Sequence, residues 1–236
     1  MRRICVTPIL FFCLPLVAGA QTGSSRAGAP LSPAPAPGPA VPQKPTEVDG
    51  IAVRIGNDVL TNSEVRELQD YQRLVEGQAQ DRAKVMEELV DQWIVQTEAV
   101  ATKFPHPTAD EVSLEFQALL KQFPSREQFQ ARLAQIGLTQ DEVRQILERQ
   151  LYYIRFLNYK FHAATQVTGE QIEAYYQQDL APSLRKRGLT VPPLDQVEAQ
   201  IRQLLTQEAI NEKAAQWLDE AKARLRIVIQ PSGQGG

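Results

Sequence analysis

Residues 139–162, TQDEVRQILERQLYYIRFLNYKFH, combine a helix start signal with a long run of apolar side chains. Thr139 and Glu142 have the spacing of a capping box, in which the hydroxyl and the carboxylate each accept a hydrogen bond from a backbone amide of the first turn. No Gly or Pro interrupts the stretch, and apolar residues recur at helical spacing. The sequence therefore predicts one long helix over 140–162.

The same start signal recurs along the chain. It pairs Thr61 with Glu64, Thr108 with Glu111, Ser125 with Gln128, and Thr168 with Gln171. Each pair precedes apolar residues at helical spacing, and Gly or Pro residues between the segments act as stop signals. The predicted helices span residues 62–75, 82–103, 109–122, 126–136, 140–162, 169–178 and 194–224.

Two short segments have strand character instead. Residues 50–60 alternate apolar and polar side chains around a Gly-Asn-Asp turn, and residues 225–229 are apolar except for Arg226 and rich in β-branched side chains. A lone strand leaves its backbone groups without partners, so we predict that these segments pair with each other. The predicted fold is mostly α: a multi-helix module closed by a small antiparallel sheet formed from its N- and C-terminal strands.

The N-terminal region predicts export. Arg2 and Arg3, an apolar run and the small residues Ala18-Gly19-Ala20 predict a signal peptide over 1–20. The apolar run is shorter than the ~20 residues that span a bilayer, so cleavage without stable membrane insertion is expected, with retention as an anchor left open. Residues 21–48 predict a Pro/Ala-rich disordered linker. A helical domain over 49–230 and a disordered tail over 231–236 complete the predicted organisation.

Composition argues against several classes of function. The net charge of −3 disfavours a nucleic-acid partner, which usually needs a basic face. The chain has two histidines, and both cysteines lie in its first fifteen residues, which disfavours a Cys/His metal centre. His106 lies between prolines in a predicted loop, and His162 ends a helix, where a cation complements the dipole. The run Arg185-Lys186-Arg187 is expected in a solvated loop. We predict no catalytic residue, metal or cofactor.

The segment 151–161 is unusually apolar for a surface helix. At 100° per residue its apolar side chains point in nearly every direction, and only Arg155 and Asn158 form a narrow polar strip. The helix is either enclosed in the core or displays aromatic side chains to a partner. The second alternative predicts an open concavity whose lining residues bind a partner. These candidates are Tyr152, Tyr153, Phe156, Tyr159, Phe161, Phe116, Leu120, Phe123 and Phe129.

Several stretches resemble, in order, the chaperone module of SurA-like periplasmic proteins. IAVRIGNDVLTNSEV at 51–65 resembles the start of that module, and MEELVDQWIVQTEA at 86–99 resembles its second helix. Further similar stretches lie at 127–139, 142–151, 167–176 and 192–229. The resemblance covers roughly residues 49–230.

One feature of that family is missing from the sequence. Parvulin-type peptidyl-prolyl isomerase domains usually precede the closing helix, but residues 179–193 are too few for a domain of ~50 residues or more. The resemblance therefore implies an ATP-independent periplasmic chaperone, or holdase, without isomerase activity. Its expected partners are unfolded or nascent envelope proteins, as in outer-membrane protein biogenesis. An isomerase-related protein and an envelope scaffold that binds one folded partner stay open as alternatives, and so does the oligomeric state.

Overall fold

The computed structural model describes residues 49–230 of the chain. The strands are β1 (Ile51–Ile55), β2 (Asp58–Thr61) and β3 (Ile227–Ile229). The helices are α1 (Asn62–Glu76), α2 (Arg82–Ala101), α3 (Ala109–Leu120), α4 (Arg126–Ile136), α5 (Gln140–Phe161), α6 (Gly169–Tyr175), α7 (Ala181–Lys186) and α8 (Leu194–Arg224). A π-helical segment (Tyr176–Leu180) joins α6 to α7. The predicted signal peptide over 1–20, linker over 21–48 and tail over 231–236 lie outside the described residues.

Local capping chemistry sets most helix starts. Complete capping boxes begin α1, α3, α5 and α6 at Thr61, Thr108, Thr139 and Thr168. Ser125 accepts a hydrogen bond of 3.3 Å from the Gln128 amide, which is only half of the predicted box. Gly77 ends α1 at φ 80°, a left-handed conformation that is strained for other residues. The predicted mostly α fold is confirmed.

The basic run before Gly188 differs from its prediction. Arg185 and Lys186 form the last turn of α7 and do not lie in a loop. Pro182 lies in the first turn of α7, and the π-helical segment leads from α6 into this turn without a break. Cations in the last turn also complement the helix dipole.

The sheet joins two segments that are far apart in sequence. Its strand order is β2-β1-β3, and both pairings are antiparallel. Val53 lies opposite Ile229, which confirms the predicted pairing of residues 50–60 with 225–229. The closing strand begins at Ile227, two residues later than predicted, because Leu225 caps α8.

Most buried apolar side chains form one core between the sheet, α1 to α5 and the C-terminal half of α8. It includes the fully buried Val53, Val65, Val85, Phe129, Val143 and Phe156. Ile172, Ala181 and Ile201 are equally buried but lie outside this core, where α6 packs on the N-terminal half of α8. We call residues 169–210 the arm. Within residues 49–230 no helix has the length and apolar character to cross a membrane.

Candidate functional site

The aromatic side chains of α5 are joined by a ring from the loop that follows α2. The Phe104 ring lies 5.8 Å from the Tyr152 ring, 5.5 Å from Phe156 and 5.1 Å from Tyr159. The Tyr152 hydroxyl donates a hydrogen bond of 3.1 Å to the Phe104 carbonyl, and His106 stacks on Tyr152 at 4.3 Å. These separations are typical of favourable aromatic pairs. The loop between α2 and α3 is thereby fastened along α5.

Trp217 extends the same set of contacts to α8. Its ring lies 6.5 Å from Phe156 and 6.0 Å from Phe161. Helices α5 and α8 and the loop after α2 therefore share one continuous series of rings, which we call the aromatic row. Its members are His106, Tyr152, Phe104, Tyr159, Phe156, Trp217 and Phe161.

The aromatic row is buried in its middle and open to solvent at Tyr159 and His106. Tyr152 and Phe156 are 4% and 1% exposed, so they belong to the core. Phe104, Phe161 and Trp217 are half-buried, His106 is exposed, and Tyr159 is 69% exposed. Because Tyr159 contacts Phe104, the exposed ring continues into apolar surface and does not stand alone.

Two cations of α5 flank the aromatic row and are held by acids. Arg155 donates to Glu111 at 2.8 Å and lies 5.9 Å above the Phe104 ring. Lys160 lies 3.0 Å from Glu98 and 4.8 Å above Trp217. Arg155, from the polar strip predicted in the sequence, therefore holds α5 against α3, and Lys160 holds it against α2 and α8. The other residue of the strip, Asn158, donates to the Ile154 carbonyl within α5.

The charge of Glu111 is also fixed by its place in the fold. Backbone and side-chain hydrogen bonds from Thr108, followed by the charge of Arg155, hold the pKa of the Glu111 carboxyl below its usual range. This carboxylate therefore stays ionised at neutral pH and keeps its partner Arg155 beside the row.

Tyr153 lies on another side of α5 and has no ring contact with the aromatic row. Burial raises its pKa well above the usual range, and the carboxylates of Asp91 and Glu88 raise it further. Asp91 lies 2.6 Å from Lys222 of α8. Burial raises the pKa of the Asp91 carboxyl and that of the Glu88 carboxyl. Tyr153 therefore belongs to a junction between α2, α5 and α8, whose two carboxyl groups we call the acidic pair.

The predicted residues of α3 and α4 form a second, separate cluster. Phe129 contacts Phe116 edge-on at 5.7 Å and Phe123 at 5.0 Å, while the Arg144 guanidinium lies 4.0 Å above Phe116. Phe116 and Phe129 are buried, whereas Leu120 and Phe123 are half-buried. Within residues 49–230 no ring of this cluster contacts a ring of the aromatic row, although both groups belong to the same core.

The structure adds residues that were not predicted as candidates. Phe104 and His106 lie outside any helical pattern, and no local signal marks them as neighbours of α5. Trp217 belongs to the regular apolar stripe of α8, and only the packing of α8 on α5 gives it a distinct place. Because Phe116, Phe129, Tyr152 and Phe156 are buried, they cannot reach a partner while the fold is intact.

A groove of about 550 Å³ between α5 and the N-terminal half of α8 lies outside the aromatic row. Its lining includes Asn158, His162, Glu198, Arg202 and Ile210. Arg202 is occupied by Glu198 at 2.6 Å and by the Val167 carbonyl at 3.1 Å. Most of the residues that line the groove are polar or charged, and none of the Phe, Tyr or Trp rings described above lies among them.

Comparison with known proteins finds matches among solved structures. No family model matches the sequence, and no curated protein matches it. One solved structure is from Campylobacter jejuni, and the alignment covers 77% of this chain and 99% of the Campylobacter chain. The sequence identity is 10% and the TM-score is 0.48. The Campylobacter structure comes from work on the virulence factor PEB4 and the periplasmic protein Cj1289, described as two structurally related SurA-like chaperones. A likeness of this size does not assign the chain to their family.

Proposed function

We propose that the protein is an ATP-independent periplasmic chaperone, of the SurA-like class, that binds unfolded or partly folded envelope proteins. The observation that carries this proposal is the solvent-exposed end of the aromatic row. There Tyr159 is 69% exposed and contacts the half-buried Phe104. The buried rings beneath hold this surface rigidly, so little side-chain freedom is lost when a partner binds.

The chemistry of this surface suits unfolded clients. Exposed aromatic and aliphatic side chains of a client would bury apolar area on the Tyr159 and Phe104 rings, a contact that needs no specific sequence. Glu111 and Glu98 and their partners Arg155 and Lys160 border the rings. Because two of these groups are acidic and two are basic, the border repels neither acidic nor basic clients as a class.

The size of the exposed surface favours weak, reversible binding. A few hundred Å² of apolar area at ~25 cal/mol/Å² gives less than about 10 kcal/mol. Association costs an estimated 4–15 kcal/mol in lost freedom and ordering. The net affinity of a single contact is therefore low, and clients leave without an energy source. The signal-like sequence over 1–20 supports the periplasmic location.

The test compares two substitutions of equally exposed side chains. Tyr159→Ser should weaken suppression of the aggregation of a chemically unfolded test protein several-fold, because it removes the exposed ring. Leu114→Ser is the matched control, since Leu114 of α3 is 65% exposed and has no place in the aromatic row. Both variants should keep the thermal transition of the wild type, because exposed positions change stability by only about 0.5 kcal/mol.

Two results would contradict the proposal. One is equal suppression by the wild type and Tyr159→Ser at every chaperone-to-client ratio. The other is a protein-dependent acceleration of prolyl isomerisation in a test peptide, which would favour the isomerase-related alternative.

A further inference from the structure

The strand β3 is one of the two edge strands of the sheet, and β2 is the other. It pairs with β1 on one side, and on its other side it has no strand partner among residues 49–230. The Gly56 amide donates to the Arg226 carbonyl at 3.0 Å, and the Gln230 amide donates to the Ala52 carbonyl at 2.9 Å. In antiparallel pairs, hydrogen-bonded and non-bonded residues alternate. Even-numbered residues of this segment therefore direct their backbone groups toward β1.

The odd-numbered residues of β3 direct their backbone amide and carbonyl groups away from β1. Val228 lies opposite Arg54 in β1, which places it between the two bonded positions. The amide and carbonyl groups of Ile227 and Ile229 consequently point away from the sheet. An extended backbone beside β3 would meet two donors and two acceptors at the spacing of an antiparallel ladder.

This edge is short, but it has none of the charged, proline or bulge features that protect many edge strands. The three residues of β3 include no Lys, Pro or bulge, and Val228 and Ile229 are 39% and 51% exposed. Natural edges are commonly covered or charged because open backbone groups recruit other strands. The free groups also indicate the kind of occupant, since an extended polypeptide can pair with all of them at once.

Charge further specifies the occupant. Arg226 and Val228 share one face of the segment, and Arg54 lies beside Val228 on that face. Within residues 49–230 no carboxylate lies within ion-pair distance of Arg54 or Arg226. A bound strand would place an apolar side chain opposite Val228 and an acidic one opposite Arg226. In antiparallel pairing the acidic residue follows the apolar one by two positions.

We propose that the free edge of β3 binds an extended segment of an unfolded polypeptide as an added antiparallel strand. The segment carries an apolar residue followed two positions later by an acidic one, and its backbone pairs with Ile227 and Ile229. A second copy of the chain is disfavoured, because pairing of two three-residue strands buries far less than the ~1,200 Å² of a stable interface. The identity of the partner as an unfolded chain rests on the proposed function, but the site shares no residue with the aromatic row.

The first test uses a labelled, capped hexapeptide, Thr-Val-Val-Val-Glu-Thr, and its counterpart with Lys in place of Glu. Fluorescence anisotropy should show tighter binding of the Glu peptide to the wild type. Arg226→Glu should reverse that preference. Equal affinities for both peptides, or a preference that Arg226→Glu leaves unchanged, would overturn the charge assignment.

The second test separates the backbone donor from the side chain. Ile229→Pro should weaken peptide binding about tenfold or more, because it removes an outward amide that β1 does not use. Ile229→Ala keeps the amide and should retain most of the binding. Should the proline variant unfold, amide exchange of the wild type decides: the peptide should slow exchange at Ile227 and Ile229, and unchanged exchange would overturn the proposal.

Two further outcomes are informative. Tyr159→Ser should bind the peptide like the wild type, so loss of aggregation suppression without loss of peptide binding distinguishes the two sites. Concentration-dependent dimerisation that Ile229→Pro abolishes would assign the edge to a second copy and overturn the proposed partner.

Discussion

Glu88 and Asp91 place two carboxyl groups one turn apart on α2, partly out of water. Burial raises the pKa of both, and for Glu88 it outweighs the hydrogen bonds that Gln92 and Gln72 donate. A carboxyl whose pKa is raised by folding binds its proton more tightly in the folded protein. Its contribution to the free energy of unfolding therefore falls as pH rises from 4.5 through the raised pKa.

Glu88→Gln removes this titration. As the pH is lowered from neutral toward 4.5, the wild type should gain unfolding free energy relative to the variant. The slope should be at most about 1.4 kcal/mol per pH unit. Urea unfolding across this range measures the difference, and Glu212→Gln, at an exposed position of α8, is the control. A difference between wild type and Glu88→Gln that does not change with pH would contradict the prediction.

The strand β3 is the shortest strand of the sheet, yet its removal should lower the stability of the whole core. Truncation after Arg224 removes every β1–β3 hydrogen bond and uncovers one side of the buried Val53 and Ile55. We expect a loss of about 2 kcal/mol or more, since each net hydrogen bond contributes ~1 kcal/mol. Thermal unfolding measures it, with truncation after Gln230 as the control that keeps β3. Equal melting temperatures for the two truncations would contradict this role of the strand.

The elements differ in how far the sequence predicts them. Helix starts at Thr61, Thr108, Thr139 and Thr168 are predictable because a capping box is a contact within four residues. The short helix α7 was missed because its six residues are too few to show an apolar period, and it forms as a continuation of α6 through the π-helical segment. The pairing of β1 with β3 followed from elimination, since neither segment had another strand partner.

The candidate site was harder to predict than the fold. Periodicity identified α5 as apolar on nearly all sides, but it could not say which aromatic side chains neighbouring helices would cover. Tyr152, Phe156 and Tyr159 lie within eight residues of one another, yet only Tyr159 reaches solvent. That difference depends on Phe104 and Trp217, which come from distant parts of the chain. The functional role of all the predicted site residues stays a prediction.

At the scale of the whole molecule, α8 belongs to two sets of buried side chains. Its C-terminal half contributes Ala214 and Leu218 to the core, whereas Ile201 lies in the arm with Ile172. A small set of buried residues gives a region little resistance to local opening. The arm should therefore open more readily than α5.

Two Ile→Ala substitutions test this difference in local opening between the arm and the core. Ile201→Ala, 3% exposed in the arm, should speed amide exchange in α6 and α7 and leave α5 nearly unchanged. Ile146→Ala, 2% exposed in α5, should reduce protection throughout, with a cost of 2–5 kcal/mol by analogy with other buried sites. Equal loss of protection in α5 for both variants would mean that the arm and the core open as one unit.

The antiparallel pairing of β1 with β3 also sets an order of events during synthesis. The ribosome makes β1 first among the described elements and β3 last. Until residue 229 has emerged, the side of β1 that bears the Ala52 carbonyl and the Gly56 amide has no strand to pair with. The nascent chain therefore carries an open strand edge through almost the whole of its translation. If translation stopped within α8, the product would have most of its helices but would lack β3. The open edge of β1 could then pair with strands of other chains.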